Sequence, residues 1–119
     1  MRALLVFCLG GLLLAGTAFA QDTIKGDAAA GKKVAGQCRT CHGIDGYAKI
    51  PIAPHIGGEQ ASYIRNQLTA FRDGTRLHEM MSVVAKMLTD KQIADVAAWY
   101  ASHDATAKLT ADTTGAPEA

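Results

Sequence analysis

The chain is short of aromatic side chains and carries almost no excess of charge. Phe, Trp and Tyr make up 6% of its 119 residues, and 12 Lys and Arg stand against 11 Asp and Glu. A chain so close to neutral lacks the basic face that nucleic-acid binding requires, so we expect no nucleic-acid partner. A single small domain with few large rings buries little apolar surface, which favours a fold completed by a bound apolar group.

Cysteine is scarce as well, with three residues in all. Cys8 lies in an apolar N-terminal run, which leaves Cys38 and Cys41 for the folded part of the chain. A structural zinc site needs four ligands, and the sequence has no second cysteine pair to supply them. A thioredoxin-like redox pair needs a βαβ pattern, and no β pattern or internal repeat is visible.

The first twenty residues differ from the rest of the chain. Arg2 is followed by an apolar run over residues 3–14, and Ala18-Phe19-Ala20 has the small-x-small pattern of a signal peptidase site. We interpret residues 1–20 as a cleaved secretory signal peptide and predict a periplasmic protein, with a retained membrane anchor as the alternative. Cleavage would remove Arg2 and leave equal numbers of basic and acidic residues.

The sequence Cys38-Arg39-Thr40-Cys41-His42 has the C-x-x-C-H spacing of covalent haem attachment. Residues three apart lie on one side of a helical turn, so both thiols can reach one porphyrin. The histidine that follows is then placed to bind the iron. The motif therefore predicts one covalently bound haem c, with Cys38 and Cys41 as the attachment points and His42 as an axial ligand.

Apolar periodicity and capping residues predict an all-α domain over residues 21–103. Asp27 is a candidate N-cap for a helix over 28–37, in which Gly31 would allow another helix to cross closely. After the haem motif, the sequence predicts a Gly- and Pro-rich loop over 43–58 and a helix over 60–72. A short amphipathic segment over 74–89 then leads to a last helix over 89–102, which begins with a Thr89–Gln92 capping box. We predict that residues 104–119 form a disordered tail.

A second axial ligand must come from another histidine or from a methionine. Methionines on an apolar helix face are usually core residues, but Met80-Met81 stands where a polar loop meets a helix and a side chain can be aimed. A thioether stabilises ferrous iron better than a second imidazole does, so the identity of the ligand affects the redox potential. The residues alone leave six candidates: His55, His78, His103, Met80, Met81 and Met87.

Several motifs, taken in order, resemble those of class I cytochromes c. The resemblance extends over residues 26–102 and is nearest to the small bacterial proteins found as single-haem carriers and as halves of tandem two-haem periplasmic cytochromes. The motifs are G-D-A-A-A-G-K at 26–32, C-R-T-C-H-G at 38–43, A-P-H-I-G-G at 53–58, F-R-D-G-T-R at 71–76 and I-A-D-V-A-A-W-Y at 93–100.

The resemblance implies a role for five residues. Cys38 and Cys41 would form the thioether links, and His42 would be the proximal ligand. Met81 would be the second axial ligand, because in the family this methionine stands seven residues after the glycine of the F-R-x-G-x-R stretch. The Pro54 carbonyl would accept a hydrogen bond from the proximal imidazole and fix its orientation.

Three further features follow from the same resemblance. Gly31 and Val34 would lie where the first helix crosses the last one, and Trp99 would replace the usual Tyr or Phe at that crossing. His55 and His78 would not bind iron, and we expect them to be exposed or hydrogen-bonded in loops.

An iron with two protein ligands has no open position for a substrate, so the expected function is single-electron transfer between redox proteins rather than catalysis. We expect a soluble carrier, able to dock to membrane respiratory complexes or a dehydrogenase through the surface near Arg39, Thr40, Met80 and Ser82. One alternative is a haem-bearing subunit of a larger oxidoreductase, such as a flavoprotein dehydrogenase. Another is a peroxidase or gas-binding protein, which would require a labile Met81.

Overall fold

The computed structural model describes residues 24–104. Every regular element in this range is a helix, which confirms the all-α prediction. The predicted signal peptide lies outside the described residues, and so does the predicted tail beyond Asp104. None of the described helices is long and apolar enough to span a bilayer. The five helices are α1 (Ala28–Ala35), α2 (Arg39–His42), α3 (Ala61–Asp73), α4 (Glu79–Lys86) and α5 (Asp90–Ala101).

Helix α1 begins at Ala28, as the sequence predicts, and ends at Ala35, two residues before the predicted end. The Asp27 carboxylate accepts the Ala29 and Ala30 amides at 2.8 and 3.2 Å, so it is the N-cap. From Gly36 onward the backbone changes to hydrogen bonds between residues three apart, ending with the Cys38 amide on the Ala35 carbonyl at 2.9 Å. This tighter turn leads directly into the cysteine motif.

Helices α1 and α5 cross at the glycine that the sequence pattern singled out. A Cβ atom on Gly31 would lie 1.9 Å from the Asp95 carbonyl oxygen and 2.9 Å from the Cβ atom of Trp99. Only a residue without a side chain permits this approach of two backbones. The predicted close crossing is confirmed, and it places the start of α1 against the middle of α5.

Helix α5 supplies half of the buried core cluster. Its buried side chains pack with residues from α1, α3 and the segment before α5, and Tyr100 is the largest of them, at 1% exposure. Cys38 and Ile56 pack against this cluster from the haem motif and the following loop. The core therefore lies directly beside the cysteine motif. The buried cluster consists of Val34, Ala35, Ile64, Leu88, Ile93, Val96, Ala97 and Tyr100.

The ends of α3 and α5 are defined by local hydrogen bonds. Gly74 ends α3 in the left-handed region, with φ of 83°, as its position after Asp73 predicts. At the start of α5 the Gln92 amide donates to Thr89 Oγ1 at 3.2 Å, and the Thr89 amide donates to Gln92 Oε1 at 2.9 Å. The predicted capping box is confirmed. An ion pair of 2.6 Å between Arg72 and Asp90 joins the two helices.

Residues 43–60 form the predicted loop, without a helix or a strand. Gly43 and Gly46 adopt positive φ values of 75° and 83°, which explains why the chain turns sharply after the motif. Of the loop isoleucines, Ile56 packs against the core, whereas Ile52 is 87% exposed on the polypeptide.

Candidate haem site

The two cysteines and the histidine of the motif lie on a single helical turn. The His42 amide donates to the Cys38 carbonyl at 3.0 Å, and the Gly43 amide donates to the Arg39 carbonyl at 2.9 Å. Cys38 and Cys41 are both partly buried and have free thiols. One rigid turn therefore presents two thiols and an imidazole, which is the arrangement that the C-x-x-C-H spacing predicts.

His42 is buried, with 8% exposure, and its ring orientation is set by a loop residue twelve positions away. Its Nδ1–H donates to the Pro54 carbonyl oxygen at 2.9 Å. This is the contact that the family resemblance implies. Since Nδ1 is engaged by a carbonyl, Nε2 is the ring nitrogen that remains available to a metal.

The Cys38 thiol lies in an apolar and hydrogen-bonded environment. Its Sγ atom is 3.9 Å from the Val34 carbonyl oxygen, toward which the thiol can donate. Burial raises the pKa of this thiol, and the nearby Cys41 adds to that effect, while the neighbouring Tyr100 hydroxyl acts in the opposite direction. The thiol is therefore protonated at neutral pH.

Two consecutive aromatic residues of α5 hold the backbone that follows the motif. The Tyr100 hydroxyl donates to the Gly43 carbonyl at 3.0 Å, and Trp99 Nε1 donates to the Ile44 carbonyl at 2.6 Å. In the sequence Tyr100 stands out only as the last residue of the I-A-D-V-A-A-W-Y motif, so these contacts were not predicted. The signal was available, because the hydroxyl of a buried tyrosine almost always needs a partner.

The three methionines of the 80–87 segment differ in exposure. Met80 and Met87 are 60% and 62% exposed, whereas Met81 is half-buried in the first turn of α4. Among the candidate ligands, Met81 is thus the methionine that faces the protein.

Each of the three candidate histidines outside the motif uses its Nδ1 atom in a local hydrogen bond. His55 Nδ1 accepts the Ala48 amide at 2.8 Å, and His103 Nδ1 donates to the Trp99 carbonyl at 2.8 Å. His78 Nδ1 accepts two amides at the start of α4. The expectation that His55 and His78 are exposed and hydrogen-bonded is confirmed.

The donor set fits a haem better than a bare metal ion. Within residues 24–104, no three His, Cys, Asp or Glu side chains are grouped as ligands for a metal ion, so the zinc alternative gains no support there. A pair of free thiols on one turn, followed by a buried imidazole with one nitrogen engaged, suits a macrocycle that is attached at two points and ligated from one side.

Comparison with known proteins shows which family this chain belongs to. The sequence profile of the cytochrome c family matches residues 28–104, which include the motif, the loop and α3 to α5. The chain belongs to the cytochrome c family. It is 43% identical over 82 residues to cytochrome c-554(548) of Halomonas halodenitrificans, and the match covers 66% of this chain and 99% of that protein.

The cytochrome also resembles longer proteins, of which it matches about half. It is 39% identical over 102 residues to cytochrome c4 of Pseudomonas aeruginosa, covering 86% of this chain and 49% of that one. A solved structure of cytochrome c4 from Acidithiobacillus ferrooxidans, which supports a complex-induced tuning of electron transfer, superimposes with a TM-score of 0.60. That match is 37% identical and covers 68% of this chain and 52% of the other.

These findings confirm the class I cytochrome c fold and a covalently bound haem c. The cytochrome spans about half the length of the cytochrome c4 chains that it matches. It is an electron-transfer protein, and its partners are redox proteins.

Proposed function

We propose that this cytochrome carries single electrons between periplasmic redox proteins through one haem c, held by Cys38, Cys41, His42 and Met81. When bound, haem c supplies an Fe(III)/Fe(II) couple whose potential depends on its axial ligands, its burial and the nearby hydrogen bonds. The observation that carries the proposal is the buried His42 imidazole, whose Nδ1 is 2.9 Å from the Pro54 carbonyl and which directly follows the two free cysteines.

In this proposal each residue of the turn has one role. Cys38 and Cys41 would form the two thioethers from a single helical turn. His42 binds the iron through Nε2. Pro54 orients the imidazole and increases its basicity by accepting the Nδ1 proton in a hydrogen bond.

Met81 completes the ligation as the second axial ligand. Two observations support it over its neighbours: its side chain is half-buried, and Met80 and Met87 point largely to solvent. With both axial positions filled by protein, oxidation and reduction need little change in ligation, which suits electron transfer rather than substrate chemistry.

The location and boundaries of the domain belong to the same proposal. The positively charged start, the apolar run and the Ala18-Phe19-Ala20 site support cleavage after residue 20 and a periplasmic protein. Residues 21–103 then form the cytochrome domain, and residues 104–119, rich in Ala and Thr, lie outside it.

Partners would dock where the haem attachment turn and the start of α4 reach the surface. Arg39, Thr40 and Met80 are exposed, and Ser82 is half-buried. A transient redox contact is small, so a few such residues suffice. Because the domain is close to neutral, we expect little long-range steering of partners by charge.

The attachment is tested by extracting the haem-loaded protein with acidified acetone. The haem should stay with the polypeptide, and it should move to the organic phase in a Cys38→Ser, Cys41→Ser double variant. Extraction of haem from the wild-type protein would contradict the proposed roles of the cysteines.

The second axial ligand is tested with matched methionine variants. A methionine ligand to ferric iron produces a weak near-infrared charge-transfer band. Met81→Ala should abolish this band, lower the midpoint potential and open the reduced iron to carbon monoxide. Met80→Leu and Met87→Leu should keep the band, because a Leu of similar volume replaces an exposed Met. Loss of the band in Met80→Leu but not in Met81→Ala would instead identify Met80 as the ligand.

Carbon monoxide binding and co-purification separate the remaining functions. Binding to the reduced wild-type protein at neutral pH would favour a gas-binding or peroxidase role, whereas a carrier should not bind. Purification from native periplasm and membranes in a fixed ratio with a dehydrogenase would identify an oxidoreductase subunit. A free carrier should elute as a separate species.

A further inference from the structure

The first turn of α4 is capped by an imidazole. His78 has an extended backbone, and its Nδ1 accepts the amides of Met80 and Met81, each at 3.2 Å. Such side-chain acceptors satisfy amides at a helix N-terminus that would otherwise lack a partner within the helix. One of the two amides held by His78 therefore belongs to Met81.

A second set of hydrogen bonds closes the same turn from the other side. The His78 amide donates to Ser82 Oγ at 3.1 Å, and the Ser82 amide donates to the His78 carbonyl at 2.9 Å. The arrangement resembles a capping box, except that the side chain that accepts the N-cap amide belongs to Ser82, one residue after the usual Glu or Gln position. Met81 lies between these two residues, so its backbone is held from both directions.

Packing contributes little to this turn on its outer side. Leu77, which precedes the cap, is 81% exposed, and His78 and Glu79 are also exposed. The His78 ring also contacts the buried Phe71 ring of α3 edge-on, with 6.3 Å between the ring centroids, and its two hydrogen bonds hold the backbone that carries the Met81 side chain. Without them the turn can fray, as helix ends do when their amides are unpaired.

We propose that His78 is a positioning residue for Met81: by capping α4 it holds the Met81 backbone in the helical conformation from which the thioether binds iron. The inference rests on the proposed role of Met81. His78 itself does not bind the haem iron in this proposal: its Nδ1 accepts the two amides, so the proton of the neutral ring lies on Nε2, which then has no lone pair to offer a metal. It acts through the backbone of the ligand, which makes the Met81–iron bond less easily displaced.

Competition with exogenous imidazole measures this effect in the ferric, haem-loaded protein. Imidazole binds only when Met81 dissociates, and its binding removes the near-infrared band. His78→Ala should raise the apparent affinity for imidazole about fivefold, which corresponds to the roughly 1 kcal/mol that a side-chain N-cap contributes. His78→Asn should restore near wild-type affinity, because asparagine is a strong N-cap but a poor iron ligand.

Thr89→Ala is the matched control, because it removes the N-cap of a different helix, α5. It should lower the free energy of unfolding by an amount similar to His78→Ala and leave the imidazole affinity unchanged. Hydrogen exchange gives an independent readout. The Met80 and Met81 amides should exchange faster in His78→Ala, and at the wild-type rate in His78→Asn and Thr89→Ala.

The outcomes distinguish the positioning role from the ligand role. Equal imidazole affinity in wild type and His78→Ala, or an equal rise in Thr89→Ala, would overturn the inference about His78 and leave Met81 as the ligand. A near-infrared band that is absent from the wild-type protein, or that survives Met81→Ala, would instead overturn the proposed ligation. Failure of His78→Asn to restore the affinity would show that capping is not the property of His78 that matters.

Discussion

The hydroxyl of Tyr100 donates to the carbonyl oxygen of Gly43 at 3.0 Å, across 57 residues of sequence. Gly43 is the residue directly after His42, so the last helix holds the end of the turn that carries the haem ligand. The neighbouring Trp99 does the same for the Ile44 carbonyl. The core and the redox site are thus joined by hydrogen bonds as well as by packing.

Tyr100→Phe tests this connection. The substitution keeps the ring and removes the shorter of the two hydrogen bonds that the buried Gly43 carbonyl accepts, leaving the one from the Gly46 amide at 3.4 Å, so the free energy of unfolding should fall by about 1 kcal/mol. Burial raises the pKa of the Tyr100 hydroxyl, so the phenol stays protonated and able to donate at any pH of interest. Denaturant unfolding of the haem-loaded protein measures the change.

Tyr63→Phe is the control for that substitution. Tyr63 is 52% exposed on α3, and loss of its hydroxyl should change the free energy of unfolding by less than about 0.5 kcal/mol. Equal stabilities of the two variants would show that the bond from Tyr100 to Gly43 contributes nothing measurable.

Gly31→Ala tests the crossing of α1 and α5. Helix propensity alone would make the alanine variant more stable by about 1 kcal/mol. The added methyl group would instead meet the Asp95 carbonyl at 1.9 Å, which forces the two helices apart. We expect a net loss of at least about 2 kcal/mol, as for other overpacked sites. Lys33→Ala, on the exposed side of α1, should stay within about 0.5 kcal/mol of wild type. A more stable Gly31→Ala variant would contradict the close crossing.

The surroundings of Asp95 predict how the free energy of unfolding depends on pH. Its carboxylate is buried on α5, pairs with the Lys91 ammonium and accepts the Asp27 amide at 2.7 Å. The hydrogen bond from Lys91 is the main cause that lowers the pKa of Asp95, and the Asp27 amide adds to it, although burial opposes both. The folded-state pKa therefore lies below the unfolded value of about 3.9.

The sign of the pH effect follows from that shift. The ionised carboxylate stabilises the fold at pH values above the unfolded pKa, and this contribution is lost as the pH falls from about 4 through the lower folded-state pKa. The denaturation midpoint should fall over that range in the wild type, and less steeply in Asp95→Asn. Glu59→Gln, in an exposed loop position, should keep the wild-type profile. Identical acid profiles of wild type and Asp95→Asn would contradict the prediction.

Much of the fold could be read from local patterns. Asp27 as an N-cap, the Thr89–Gln92 capping box and the stop at Gly74 are all present in the structure. The extent of α1 was wrong by two residues, because the turn over Gly36 changes to shorter hydrogen bonds that apolar periodicity does not reveal.

For the site, the C-x-x-C-H spacing and the family resemblance singled out five residues. The structure adds a hydrogen bond from His42 to Pro54 and a difference in burial between Met81 and its neighbours. The roles of the five residues toward the haem stay predictions that the variants above can test.

The sequence alone sets the features that depend on residues three or four positions apart, since the geometry of a helical turn brings such residues together whatever surrounds them. The placement of Cys38 and Cys41 on one turn is of this kind, and so are the caps of α1 and α5. The contacts of Tyr100 with Gly43 and of Asp95 with Asp27 join residues 57 and 68 positions apart. Only the tertiary structure decides them, because they depend on the angle and distance at which α5 crosses the chain, and that geometry results from the packing of the whole core.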